Sequence, residues 1–149
     1  MRIYIDTSVV GGFYDEEFAE STKAFFDKVE KGDFVLVVSE LLRAELLQAP
    51  QIVRDHLDGY PQKQLEAVEL TEEAMILADR YIEEKVVGAT SRADCQHIAI
   101  ATLNRVDVLV SWNFKHIVNL KRIKGYNSVN LKNNYPMLEI RSPLEILEL

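Results

Sequence analysis

The sequence predicts an α/β fold in which helices cover both faces of a mostly parallel central sheet. Three apolar runs, at residues 2–5, 34–38 and 108–111, have the composition of strands that are buried on both faces. Segments of crossover length with helical periodicity separate these runs, and this alternation is typical of a parallel sheet enclosed by helices.

The remaining elements follow from apolar periodicity and capping signals. Residues 15–30 form an amphipathic pattern that is followed by Gly32, and Ser39 is a candidate N-cap for a helix that ends near Ala49, before Pro50. The other expected elements are a helical or irregular stretch at 51–66, a short strand at 67–70, helices at 72–87, 91–104 and 114–120, and two weak strands within 121–149.

Length and composition predict a single globular domain over residues 1–149. The chain is 48% apolar and 28% charged, which is ordinary for a folded domain. No apolar run approaches the roughly 20 residues that cross a bilayer, and a strand begins at once, so we expect no signal peptide, no membrane partner and a cytoplasmic location. The single cysteine, Cys95, excludes an internal disulfide and argues against a cysteine-based zinc site.

The charge is unevenly distributed along the chain. A net charge of −7 disfavours long-range attraction to nucleic acid. Residues 108–138, however, contain no Asp or Glu and carry five basic side chains: Lys115, Lys121, Arg122, Lys124 and Lys132. A solvated surface loop and a phosphate-binding segment both explain this local excess of positive charge.

Three carboxylates occupy unusual positions. Asp6 ends the first strand, where open α/β sheets bind ligands, although a helix N-cap is a local alternative. Glu45 falls on the apolar stripe of its helix, where a buried salt bridge or a position at the edge of the stripe are the alternatives. Asp94 lies in the first turn of an apolar helix, where it would also complete a capping box with Ser91.

Parallel topology would bring these three carboxylates to one edge of the sheet. Two like charges about 4 Å apart cost on the order of 4 kcal/mol at an effective dielectric near 20, so three such groups call for a cation. Oxygen ligands favour Mg²⁺ or Mn²⁺ over zinc. The three histidines, His56, His97 and His116, lack the spacing of a zinc site and are interpreted as structural or surface residues.

Four segments resemble the PIN domain in order and spacing: "IYIDTSVV", "SELLRAELL", "RADCQHIAIAT" and "VLVSWNFKHI". The match extends to about residue 120 and looks closest to the small prokaryotic toxins of toxin–antitoxin pairs. The resemblance implies a PIN-like three-layer α/β/α sandwich, a metal-dependent ribonuclease site, an antitoxin partner and a homodimer. It assigns Asp6, Glu45 and Asp94 as the acidic metal ligands, with Ser8 and Ser111 as hydroxyl neighbours.

One region departs from the family pattern. Asn113 stands where many members carry a fourth aspartate, and His116 stands at a further acidic position. An amide oxygen can ligate a metal or orient a water but brings no charge, so the departure favours one metal over two and predicts weak or absent turnover.

Further candidate substrate contacts lie in the same region. The residues expected to meet backbone phosphates are Lys115, Lys121, Arg122 and Lys124. Trp112 is a candidate platform for base stacking, with burial in the core as the alternative, and His116 is grouped with these contacts.

These residues predict hydrolysis of RNA phosphodiester bonds with Mg²⁺ or Mn²⁺. Asp6 and Asp94 would hold the metal. Glu45 would complete the ligand shell or accept the proton of the attacking water, and Asn113 would orient the water or the substrate. The alternative function is a PIN-like module that binds RNA or protein without turnover.

Two other enzyme and signalling classes fit less well. A phosphatase of the haloacid-dehalogenase type needs a second aspartate at the position of Ser8. A phospho-accepting receiver domain expects paired early acids and a lysine at a late strand end, where this chain has Ser111 and Trp112.

Overall fold

A computed structural model describes all residues 1–149 and shows a five-stranded, entirely parallel sheet. The strand order is β3-β2-β1-β4-β5. The strands are β1 (Arg2–Ile5), β2 (Val35–Ser39), β3 (Leu65–Val68), β4 (Val108–Val110) and β5 (Ile140–Arg141).

Eight helices surround the sheet, and none is long and apolar enough to span a membrane. They are α1 (Thr7–Gly12), α2 (Ala19–Glu30), α3 (Glu40–Leu46), α4 (Gln51–Arg54), α5 (Glu72–Glu83), α6 (Arg92–Leu103), α7 (Leu120–Lys132) and α8 (Pro143–Leu147). Ser39 and Thr71 accept hydrogen bonds from the first turns of α3 and α5, and for Ser39 this confirms the predicted N-cap.

Alternate residues of each strand face opposite helical layers, which makes the fold a three-layer α/β/α sandwich. Tyr4 and Leu109 belong to the apolar cluster shared with α5, α6 and α7. Ile3, Leu36 and Val108 belong to the cluster shared with α1, α2, α3 and α8. The predicted fold class is therefore confirmed.

The main differences from the expected elements lie after residue 112. Residues 114–117 form turns, and a 13-residue helix, α7, occupies the place of a predicted weak strand. Two inward-facing asparagines hide its apolar periodicity: Asn127 bonds to the backbone of Leu138, and Asn130 lies fully buried. Of the two weak strands only β5 forms, and it contains two residues.

The strand order places a topological switch point beside β1. The chain runs from β1 to β2 and β3 on one side, and then crosses to β4 and β5 on the other. In open α/β sheets, ligands bind beyond the carboxyl ends of the strands at such a point. The residues that follow β1 and β4 therefore line the expected crevice.

Candidate active site

Asp6 lies at the switch point, directly after β1, and is only 4% exposed. Its Oδ1 accepts a hydrogen bond of 2.6 Å from Ser8 Oγ, and its Oδ2 accepts one of 2.6 Å from Ser111 Oγ, which follows β4. Although Asp6 occupies the N-cap position of α1, its side chain makes no capping bond. The capping alternative is therefore wrong for this carboxylate.

The two serines are held in turn by the loop that follows β4. The backbone N–H of Trp112 donates to Ser8 Oγ at 2.9 Å, and the N–H of Asn113 donates to Ser111 Oγ at 2.9 Å. Each hydroxyl thus accepts from a backbone N–H and donates to Asp6. These bonds fix the orientation of a buried carboxylate.

Trp112 lies in the core and not in the crevice. It is 8% exposed, its ring stacks on Phe18 with centroids 4.3 Å apart, and its Nε1–H donates to Thr22 Oγ1. The structure therefore favours the other predicted alternative, burial in the core, over base stacking, because both the ring and its only donor are engaged inside the protein. The neighbouring Phe114 is 50% exposed and is the free aromatic surface of this loop.

Glu45, in the last turn of α3, keeps part of its side chain exposed. Oε1 accepts hydrogen bonds of 2.6 Å from Thr7 Oγ1 and from His97 Nε2. The second oxygen, Oε2, accepts no hydrogen bond from the protein. One predicted alternative for Glu45 was a buried salt bridge. The structure shows a partly buried contact of this kind, and its partner is His97.

His97 is the residue that the sequence interpretation missed at this site. It is 2% exposed, and its Nδ1 lies 2.5 Å from the hydroxyl of Tyr4. One signal was available: His97 is three residues after Asp94, and residues spaced by three share one face of a helix. Nothing local indicated the partner, because Tyr4 precedes His97 by 93 residues.

Asp94 is half-buried near the start of α6 and faces Asn113, whose Nδ2 lies 3.4 Å from Asp94 Oδ2. The predicted capping box is absent, because the side chain of Ser91 makes no capping bond. The amide oxygen of Asn113 accepts from the backbone N–H groups of Lys115 and His116. This oxygen therefore stabilises the turn that follows Asn113, and the amide nitrogen is the atom that faces Asp94.

The three carboxylates interact electrostatically. Burial raises the pKa of Asp6, against the opposing effects of His97 and the two serine hydroxyls. Burial and the nearby charge of Asp6 raise the pKa of Asp94. Burial also disfavours ionisation of Glu45, but hydrogen bonds from His97 and Thr7 outweigh it and lower its pKa. Glu45 is therefore ionised at neutral pH, whereas burial disfavours the charged forms of Asp6 and Asp94.

The chemistry of these donors suits a hard divalent cation. All three are carboxylates, and Glu45 Oε2 and Asp94 Oδ1 accept no hydrogen bond from the protein, which leaves them free for a ligand. As they stand, however, no three His, Cys, Asp or Glu side chains are arranged as a group that could hold a metal ion. Ligation by Asp6, Glu45 and Asp94 therefore stays a prediction.

The expected phosphate contacts differ in their availability. Lys115, Lys121 and Lys124 are exposed and make no salt bridge. Arg122 is half-buried and donates to the backbone carbonyl of Val86, which gives its guanidinium a structural role. His116 lies close enough to Asp94 to oppose, in part, the rise in the pKa of that carboxyl that burial causes.

No family model and no curated protein sequence matches the chain, but solved structures share its fold. VapBC2 from Rickettsia felis, bound to promoter DNA, is 15% identical with a TM-score of 0.59, over 95% of this chain and 98% of that chain. VapC20 from Mycobacterium tuberculosis, a toxin that cleaves the sarcin–ricin loop, is 10% identical with a TM-score of 0.59, over 76% and 91%. FitAcB from Neisseria gonorrhoeae is 12% identical with a TM-score of 0.60, over 95% and 98%.

These likenesses define the class of fold. The chain shares its three-layer α/β/α fold with VapBC2, VapC20 and FitAcB, as the fold implied by its four motifs predicted.

Proposed function

We propose that this protein is a PIN-type ribonuclease that hydrolyses RNA phosphodiester bonds with Mg²⁺ or Mn²⁺. The observation that supports this proposal most strongly is the electrostatic interaction among three carboxylates from separate elements beside the switch point of the sheet: Asp6, Glu45 and Asp94. The charge of Glu45 contributes to the raised pKa of Asp6, and the charges of Asp6 and Glu45 contribute to the raised pKa of Asp94. The shared fold with a toxin that cleaves the sarcin–ricin loop supports RNA as the substrate class.

The carboxylates have different roles in this proposal. Asp6 and Asp94 would hold the cation, which when bound polarises a phosphoryl oxygen and lowers the pKa of a water. Glu45 would complete the ligand shell or accept the proton of the attacking water. Its lowered pKa keeps it ionised at neutral pH, and its free Oε2 is an available acceptor at the crevice.

Substrate binding would use the basic and aromatic surface beside the crevice. The exposed amines of Lys115, Lys121 and Lys124 are free to contact backbone phosphates, which position a strand without reading its sequence. The exposed ring of Phe114 offers a face on which a base can stack. Asn113 would orient the substrate or a water through its amide nitrogen.

An antitoxin partner and a homodimer belong to the same proposal. Both are implied by the resemblance of the four motifs, and the similar VapBC2 structure supports a bound antitoxin. A PIN-like module that binds RNA or protein without turnover is the second candidate. It is favoured by Asn113, which brings no charge and whose amide oxygen is already engaged by backbone N–H groups.

The test compares cleavage of labelled RNA in Mn²⁺ by the wild type, Asp94→Asn and Asp58→Asn. Asp58 is an exposed aspartate in a 3₁₀ turn and serves as the charge-matched control. We expect the wild type and Asp58→Asn to cleave alike and Asp94→Asn to lose about 100-fold or more, the scale of a lost transition-state interaction. Equal cleavage by all three proteins would overturn the assignment of this site as a nuclease site. RNA binding without cleavage would support the alternative of a binding module.

A further inference from the structure

The two hydrogen bonds that Glu45 accepts converge on one oxygen. Thr7 and His97 both donate to Oε1 at 2.6 Å, and the side chain as a whole is 30% exposed. This arrangement turns Oε1 inward and leaves Oε2 free. The carboxylate therefore has a fixed orientation before any ligand arrives.

His97 is fixed by a second buried residue. Because an ionised carboxylate only accepts, Nε2 of His97 carries the proton that it shares with Glu45. Its Nδ1 lies 2.5 Å from the hydroxyl of Tyr4, which is fully buried and whose oxygen lies 2.9 Å from Ser39 Oγ. Ser39 in turn caps α3 by accepting from the N–H of Leu42.

These bonds form a closed path through the fold. The path leaves α3 at its capped end, passes through Tyr4 on β1 and His97 on α6, and returns to α3 at Glu45. Tyr4 otherwise lies in an apolar cluster where a phenylalanine ring would fill the same space without a polar group to satisfy. Its hydroxyl therefore acts on the crevice only through His97.

We propose that His97, held by Tyr4, is a positioning residue that fixes the Glu45 carboxylate and presents Oε2 to the crevice. This inference rests on the proposed function, because it assigns the orientation of the carboxylate that would complete the ligand shell or accept the water's proton. Residues that orient the groups of a metal site typically change metal affinity or activity by about 10- to 100-fold when they are replaced. Misplacement of a reacting group by about 1 Å has a similar effect on rate.

The experiment measures Mn²⁺ affinity by calorimetry, and kcat and KM for RNA cleavage, on the full chain. Tyr4→Phe removes only the hydroxyl, and His97→Leu removes both nitrogens. His97→Gln restores one N–H donor toward Glu45. Tyr81→Phe is the matched control, since Tyr81 is equally buried but bonds to Asn130 away from the crevice.

We expect Tyr4→Phe and His97→Leu to weaken Mn²⁺ binding or lower kcat by about 10-fold or more, with KM for RNA unchanged. His97→Gln should recover part of the loss, and Tyr81→Phe should match the wild type. If His97→Leu fails to fold, Tyr4→Phe decides. Wild-type affinity and kcat in both variants would overturn this inference alone, whereas a wild type that neither binds Mn²⁺ nor cleaves RNA would overturn the proposed function and the inference with it.

Discussion

Ser111 donates a hydrogen bond of 2.6 Å to Asp6 and thereby joins the residues that follow β4 and β1. The same hydroxyl accepts from the backbone N–H of Asn113, so it also anchors the loop that carries the amide. The pairing spans 105 positions in the sequence and connects the two strands that flank the switch point. The stability of the crevice therefore depends on this serine.

Ser111→Ala should lower the free energy of unfolding by about 1–3 kcal/mol. The substitution leaves a buried oxygen of Asp6 and the N–H of Asn113 without a partner. A loss of about 1–3 kcal/mol is the usual cost of such unsatisfied buried groups. Urea denaturation of the variant and of Ser128→Ala, an exposed serine on α7, provides the comparison. Equal losses in the two variants would contradict the structural role of Ser111.

Asp6→Asn should stabilise the protein at pH 7 when no divalent cation is present. Burial raises the pKa of Asp6, so the folded chain binds this proton more tightly than the unfolded chain. The stability linked to the group is then highest below the ordinary pKa of 3.8 and falls as pH rises through the folded pKa. The gain from Asn should therefore be largest at neutral pH and should vanish toward pH 3.

Thermal unfolding at several pH values measures this difference between Asp6→Asn and the wild type. A variant that is less stable than the wild type at pH 7 would show that the serine bonds outweigh the cost of burial. The expected combination of higher stability and lost cleavage identifies Asp6 as a residue whose charge the fold itself does not need.

Gly12→Ala should destabilise the protein by about 1–3 kcal/mol, as overpacking of a filled core does. A Cβ at this position would lie 2.7 Å from Nε1 of Trp112 and 2.9 Å from Thr22 Oγ1, the two atoms that are hydrogen-bonded to each other. Gly11→Ala is the matched control, because nothing lies within 4 Å of its Cβ. In the same helix that change should stabilise slightly.

The readout for both glycine variants is the midpoint of urea unfolding, followed by fluorescence of the single tryptophan. Equal midpoints for Gly12→Ala and Gly11→Ala would contradict the close approach of Trp112 to α1.

His56 should titrate near pH 4 in the folded protein. Its ring packs against Phe13 and Phe26 and lies within hydrogen-bonding distance of the hydroxyls of Tyr14 and Tyr60. This burial lowers the pKa of His56 to about 4. Because the folded pKa is depressed, the stability linked to His56 is present above the ordinary value of 6.5 and is lost as pH falls toward 4.

NMR titration of the His56 ring protons measures this pKa directly. The same signals in urea should move to a midpoint near 6.5. A folded-state midpoint near 6.5 would contradict the burial of the ring.

The sheet could be predicted because its three central strands are strongly apolar. The run at 2–5 matches β1, and those at 34–38 and 108–111 differ from β2 and β4 by one residue at their ends. Helix α1 was missed, since its two glycines disfavour a helix and it is only six residues long. Helix α7 was missed because Asn127 and Asn130, which are satisfied only by tertiary contacts, face the core.

The site could be predicted only in part, for a related reason. Asp6, Glu45 and Asp94 stood out because carboxylates at a strand end and on apolar helix faces need partners. Of their partners, Ser111 was indicated only by the family resemblance, and His97 was missed because its contacts with Glu45 and Tyr4 join distant segments. Trp112 was ambiguous in sequence, since an aromatic residue after a strand suits a surface platform and a buried ring equally well.

The most direct test of the central claim is the anomalous difference density of crystals grown with Mn²⁺. We expect a manganese peak at the switch point, with oxygens of Asp6, Glu45 and Asp94 about 2 Å from the ion. A crevice in which the three carboxylates keep only their serine, threonine and histidine bonds, with no manganese among them, would contradict it.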